Sequence, residues 1–289
     1  MRRINGDDRI VINKVSKVQI PTGYDQINLL QKVAFMPNET WDFSLGLIYS
    51  ETSNYSRYDR LVQKRDGNLR YGEWYYGPQK WFSGNFSINK TGNGKIYDKL
   101  QFTAAYKIFK ESRFDRKFVD ETLYINTEKV DAYSANIDFE KNFDVNKFFY
   151  GVEYVLDEVN STGKTRNILT NAGGGNPSRY PDGSTWQSLA AYSTYNWKLN
   201  EDLNIQSGLR YNHIIIKADF PASVYDFPFD NANINTGALT GSAGLSWRQN
   251  VNTEWKLNFS TGFRAPNIDD IGKIFDSEPG AVIIPNPHL

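Results

Sequence analysis

The sequence predicts an all-β chain: a partial antiparallel, up-and-down transmembrane β-barrel. Three observations predict it. Apolar and polar residues alternate one by one through ten segments. The connections between those segments are alternately short and long. Tryptophans sit beside the short connections, on the apolar parity. Neighbouring side chains of a strand point to opposite faces, so alternation makes one oily face and one wet face. Tight turns at one end with long loops at the other are the pattern of a membrane barrel. A soluble sandwich or propeller has no reason to sort its connections this way.

The segments follow in chain order. Residues 26–37 open the series, and 41–52 follow after a three-residue turn, with Trp41, Phe43, Leu45, Leu47 and Tyr49 on one parity. Residues 80–90 and 96–110 come next, the latter aligning Leu100, Phe102, Ala104, Tyr106 and Ile108. In 122–141 the oily row is Tyr133, Ala135, Ile137 and Phe139. Residues 147–159 lead to 185–199, where Leu189, Ala191, Tyr195, Trp197 and Leu199 align. In 203–216 Leu203, Ile205, Leu209 and Tyr211 oppose Asn204, Gln206, Arg210 and Asn212. In 236–249 the row is Leu239, Ala243, Leu245 and Trp247. The last segment, 254–264, sets Trp255, Leu257, Phe259, Thr261 and Phe263 against Lys256, Asn258, Ser260, Gly262 and Arg264.

The short connections 38–40, 91–95, 142–146, 200–202 and 250–253 are rich in Asn, Asp, Gly and Thr, as tight hairpins require. The long ones are 53–79, 111–121, 160–184, 217–235 and 265–289. Trp41, Trp197, Trp247 and Trp255 lie at short turns, while Tyr49 and Tyr211 lie on the same face near the long loops. Amphipathic rings gather at the two levels where hydrocarbon meets headgroup. The opposite face, with Lys256, Arg264, Arg210, Gln206, Asp138, Glu140 and Arg248, is expected to line a wet lumen or meet a plug.

Composition narrows the function. The 289 residues carry 33 basic and 33 acidic side chains, so the chain lacks the basic excess of a nucleic-acid binder. With no Cys there is no disulfide framework, thiolate zinc site or thiol nucleophile. Two His leave little room for a multi-His metal site. Mean hydropathy is −0.58 and no apolar run of about 18 residues occurs, which excludes a helical membrane protein. Residues 1–8, MRRINGDD, precede no apolar targeting core. Both ends read as cut, so an interior piece of a longer protein is expected.

The segment 260–289, STGFRAPNIDDIGKIFDSEPGAVIIPNPHL, resembles the TonB-dependent outer-membrane receptors. Gly262, Phe263, Arg264, Ala265 and Pro266 match a strand-ending GFRAP box. Asn286, Pro287 and Leu289 match a following NPNL-like box, with His288 where Asn is usual. RYDRL (57–61), EWYYGPQKW (73–81) and RYPDGS (179–184) also resemble the family, particularly its Bacteroidetes-type members. The resemblance runs from about Tyr24 to the end. It implies a Gram-negative outer-membrane location and a 22-stranded barrel around an N-terminal plug. Ten strands would be under half of it. The plug, closing strands, signal peptide and coupler-binding box are expected outside residues 1–289. It also implies active import of a scarce, bulky nutrient, such as a ferric siderophore, haem or cobalamin, powered through TonB. The paired boxes are most typical of haem and haemoglobin receptors, so a haem protein is an alternative ligand to a small molecule. No resident cofactor is implied.

Candidate ligand residues are loop residues. Tyr58, Tyr71, Tyr75, Tyr76 and Tyr180 would grip a flat or iron-bearing ligand, although Tyr is also an ordinary loop anchor. His288 is a candidate haem or chelate contact, against a plain loop residue replacing Asn; His213 falls on the lipid parity with Tyr211. NAGGGNP (171–177) reads as a flexible loop tip; lacking Lys-Ser/Thr, it is no phosphate loop. Asp269, Asp270, Asp276 and Glu278 lack ordered calcium-ligand spacing. Two rivals share the barrel grammar. A ten-stranded outer-membrane protease would need Asp–Asp and Asp–His pairs to activate water, hard to assemble from His213 and His288. An adhesive or structural barrel would not require the two boxes. A non-enzymatic transporter is therefore the expectation.

Overall fold

The computed structural model describes every residue except 1, 16, 66, 222–226, 273–274, 279–280, 284–285 and 287–289. Ten long strands form one meander. They are β1 (Gln26–Asn38), β2 (Trp41–Thr52), β3 (Lys80–Thr91), β4 (Lys99–Lys117), β5 (Thr122–Phe143), β6 (Asn146–Asn167), β7 (Ser184–Lys198), β8 (Leu203–Asp219), β9 (Asn231–Asn250) and β10 (Thr253–Ser260). Each pairs antiparallel with its neighbours in the chain, and β1 and β10 are the two edges of this path. Among the described residues no helix is long and apolar enough to cross a membrane.

The expected alternation is realised as two faces. Leu209, Tyr211, Leu239, Leu245, Trp247, Trp255, Leu257 and Phe259 share one face and stand exposed. Bare leucine and phenylalanine rows are costly in water and suited to acyl chains. The belt ends at Tyr133 and Leu156, directly paired across β5 and β6, while Asp131 and Glu158 follow it on the same face. From Phe143 up to Tyr133 is about ten residues, the length of a tilted strand across hydrocarbon. At the other margin Trp247 pairs with Trp255 and Leu203.

Short turns are closed by side chains. Asn38 Oδ1 accepts from the amides of Thr40 and Trp41 at 3.0 and 3.1 Å. Asn200 and Asn250 accept from the amides of Asp202 and Asn252, both at 2.9 Å. This side-chain turn mimics a backbone turn and fits a two-residue reversal. In the turn after β5, Asp144 takes φ +56°, a left-handed conformation that Asp tolerates.

The strands overrun the expected ends: β4 extends to Lys117 rather than 110, β6 to Asn167 rather than 159, and β9 starts at Asn231 rather than 236. In the added stretches of β4 and β6, 111–117 and 160–167, polar residues occupy both faces almost throughout, so alternation fades while hydrogen bonding continues. β5 and β6 keep one unbroken register from Phe143↔Asn146 to Thr122↔Asn167. β10 is shorter than expected and stops at Ser260, leaving the GFRAP residues outside it. Three short strands, Tyr55–Ser56, Tyr71–Tyr76 and Gly173–Asn176, join the wall above the belt. The last corrects the reading of NAGGGNP as a flexible tip. It pairs with β6, and a Cβ at Gly163 would collide with the carbonyl oxygen of Asn176.

The polar face is not uniformly polar. Leu30, Ile48 and Trp81 are exposed on it, beside Phe109. At its loop end, helix α2 (Ile268–Gly272) packs Ile268 and Ile271 against Ile214, Ile216, Phe220 and Val159. Near the start of the chain a hairpin of Arg2–Ile4 and Asp7–Arg9 is held by Asp8. Its carboxylate accepts two bonds of 2.7 Å from Arg116, which is fully buried and also donates to Glu73 at 3.0 Å.

Candidate functional site

The polar face at the long-loop end carries two adjoining groups of side chains. The first is basic and aromatic. Trp74 and Tyr76, on the strand Tyr71–Tyr76, lie opposite Asp115 and Arg113 of β4 and share the polar parity. The Arg113 guanidinium carbon stands 5.5 Å from both ring centroids. Arg57 lies 5.4 Å from Trp74 and 6.0 Å from Tyr76, and Arg60, on helix α1 (Tyr58–Leu61), lies 5.8 Å from Trp74. Tyr55 leans on Tyr76 at 5.2 Å, and Tyr24 on Tyr55 at 5.5 Å. Arg57 is held by Asp59 through bonds of 2.7 and 2.6 Å. The buried Nε atoms of Arg60 and Arg113 have no hydrogen-bond partner. Guanidinium planes over aromatic faces present fixed donors and flat apolar walls together.

The second group surrounds a cavity of about 480 Å³ over the ends of β4–β7. Its floor includes Phe109, Glu128, Asp157 and Trp186; Arg179, Tyr180 and residues 267–269 roof it. Tyr180 donates to Asp269 at 2.7 Å, and burial together with that acceptor pushes its phenol up to about 12. Trp186 Nε1 donates to the Pro266 carbonyl at 3.2 Å.

The structure separates the sequence candidates. Tyr76 enters the first group and Tyr180 the second. Tyr75 faces the opposite way and stacks on Phe114 at 4.6 Å with planes 7° apart. Tyr58 begins α1 next to the arginines. Tyr71 packs with Leu61 and Trp74. His213 stacks beside Tyr211 on the apolar parity. His288, Pro287 and Leu289 lie outside the described residues, and Asn286 is exposed.

The GFRAP residues form a latch. Arg264 Nη2 grips both oxygens of Asp270 at 3.1 and 3.0 Å, and Asn267 and Asp270 exchange amide-to-side-chain bonds of 3.0 and 2.9 Å. Ala265 packs on the α2 core and Pro266 receives Trp186. Gly262 and Phe263 continue the connecting coil, with Phe263 exposed. Asp269 thus accepts from Tyr180 and Asp270 from Arg264. Reading the sequence alone missed Arg57, Arg60, Arg113, Trp74, Glu128 and Trp186. A usable signal was the parity of Trp74 and Tyr76 within the strand.

A family model described as "TonB dependent receptor-like, beta-barrel" matches residues 20–289. No curated protein sequence matches the chain. Among solved structures, the copper transporter OprC superposes with a TM-score of 0.71 at 12% identity, covering 87% of this chain and 38% of that one. The unliganded ferric citrate transporter FecA gives 0.60 at 11% identity, with coverage of 82% and 36%. The ferric-catecholate import receptor Fiu from E. coli K12 gives 0.57 at 10%, with coverage of 84% and 47%. The chain thus spans less than half the length of each.

Proposed function

Because the chain belongs to the TonB-dependent receptor β-barrel family, whose barrels lie in the Gram-negative outer membrane, we propose that it forms part of the wall of a transporter that imports a scarce, bulky nutrient. The lumen side is the polar face, and the ten long strands are barrel wall around a plug that is a separate part of the receptor. Import draws on TonB through that plug. The family is one of transport receptors rather than enzymes, which favours import over the protease and adhesin readings.

The cargo we propose is an anionic iron chelate, with haem, free or carried by a protein, as the second reading. One observation carries this. Arg57, Arg60 and Arg113 surround Trp74 and Tyr76 on the lumen side, with the Arg57 and Arg113 side chains partly exposed. A flat, oxygen-rich anion pairs with those guanidinium groups and rests against Tyr76, Trp74 being buried beneath. Tyr58, Tyr76 and Tyr180 are its proposed loop contacts. The haem reading rests on the boxes and on His288. The fold does not choose between them, since neighbours of similar shape are titled as transporters of copper, ferric citrate and ferric catecholates.

Growth decides the cargo. Cells carrying the full-length gene would be starved of iron and offered siderophores, haem or haemoglobin. The expected result is growth on an anionic ferric chelate that falls about tenfold in ligand affinity when Arg113→Ala removes one charged donor. Growth on haem that His288→Ala abolishes supports the second reading. Growth independent of every iron source refutes both.

A further inference from the structure

The cavity over β4–β7 holds a carboxylate arrangement that its own surroundings leave unbalanced. Glu128 is 6% exposed, yet neither carboxylate oxygen has a hydrogen-bond partner. The nearest cation, Arg179 Nη1, stands 3.7 Å from Oε1, and its guanidinium lies 5.2 Å from the Tyr180 ring. Glu111 is the direct cross-strand partner of Glu128 in the β4–β5 register, on the same face. Like charges directly opposed on one face repel. Glu111 is partly offset by Gln79, which donates to it at 2.7 Å, and by Arg113 at 4.0 Å. Asp157 of β6 brings a third carboxylate to the same space.

A buried carboxylate without a donor is costly and persists where something else supplies the donor. Glu128 lies beyond the apolar belt, and burial pushes its carboxyl up against the weaker pull of Arg179. The walls specify what the donor is attached to. Phe109, Trp186 and Tyr180 present rings to the cavity, and the last two are fixed by their bonds to Pro266 and Asp269. Aromatic faces beside carboxylates attract a cation with an apolar body. Glu111, Glu128 and Asp157 are spread over three strands, the fourth carboxylate, Asp269, accepts from Tyr180, and among the described residues they do not converge as a metal site, which favours an extended ligand over a bare ion.

We propose that this cavity is a binding site for an organic cation, an ammonium or guanidinium group on an apolar body, with Glu128 as its principal acceptor and Asp157 and Glu111 as secondary ones. The site adjoins the arginine group through Glu111, which lies 4.0 Å from Arg113, but takes a ligand of opposite charge.

Calorimetric titration of the purified full-length receptor tests it, with phenethylammonium as probe and 2-phenylethanol as the neutral isostere. The expected result is binding of the ammonium, about tenfold or more weakened in Glu128→Gln, and at least as large a loss for the neutral isostere. Asp157→Asn, on the neighbouring strand, is expected to weaken it less, and it carries the test if Glu128→Gln yields no folded barrel. Equal binding by the isostere, or undiminished binding in the folded variants, overturns the proposal. So does failure of the wild type to bind phenethylammonium, as when a side chain from elsewhere in the receptor fills the space.

Discussion

Arg116 shows how much one side chain can organise. It is fully buried and joins Asp8 of the N-terminal hairpin to Glu73 of the wall, while Asp8 also accepts from the Val119 amide at 2.9 Å. Replacing it with Leu takes the cation from Glu73 and leaves Asp8 with the longer Arg3 contact at 3.7 Å, a loss on the order of 3 kcal/mol. The expected outcome is release of the hairpin, read as faster hydrogen exchange at Val119. The Arg116 bond is the largest influence holding the Asp8 carboxyl below its ordinary range, with burial opposing it. A depressed carboxyl stabilises the docked state above the ordinary value near ~3.9, and the contribution is lost as pH falls through the lower folded value. The protection factor of the Val119 amide, taken against its intrinsic exchange rate at each pH, is therefore expected to stay high at neutral pH and to fall in acid. None of this was readable beforehand, because 108 residues separate Asp8 from Arg116 and no periodicity links them.

Individual strands were legible where the bilayer writes the pattern. Leu209, paired with Gly241 and Ser193, sits between the Trp247 margin and the Tyr211 margin on the bare face. Leu209→Arg, one same-face position inside the Tyr211 margin, is expected to cost about 1–2 kcal/mol in urea titrations of the receptor refolded into vesicles. No loss of stability would mean that this row does not face hydrocarbon. The same logic explains the misread ends. In Asn160–Asn167 both parities are polar or small, so nothing in the order of residues separates a strand from a loop. Tyr58, Tyr75, Tyr76 and Tyr180 were found as rings in long connections. Their partners were not, since Trp74 meets Arg113 only through the pairing of Tyr71–Tyr76 with β4. Glu128 looked like one more charge in a polar stretch. Its isolation follows from the roof laid over it by residues near 179 and 268, distant in sequence.

At the scale of the molecule the sheet has two ends. Among the described residues β1 pairs only with β2 and β10 only with β9, so each presents a row of amides and carbonyls on its other side. Hydrocarbon does not tolerate an unpaired row, and a barrel removes it by closure. Residues 1–289 expressed alone are therefore expected to give no compact, heat-modifiable band after refolding into detergent, whereas the full-length receptor gives one. A heat-modifiable band from the 289 residues alone would show that they close on themselves. The meander also bears on assembly. Because every long strand zips to the one made just before it, each hairpin is a short-range event with a small entropy of closure. Neighbours in the chain are then neighbours in the wall, and one faulty reversal would misalign every strand beyond it, like a jammed fastener.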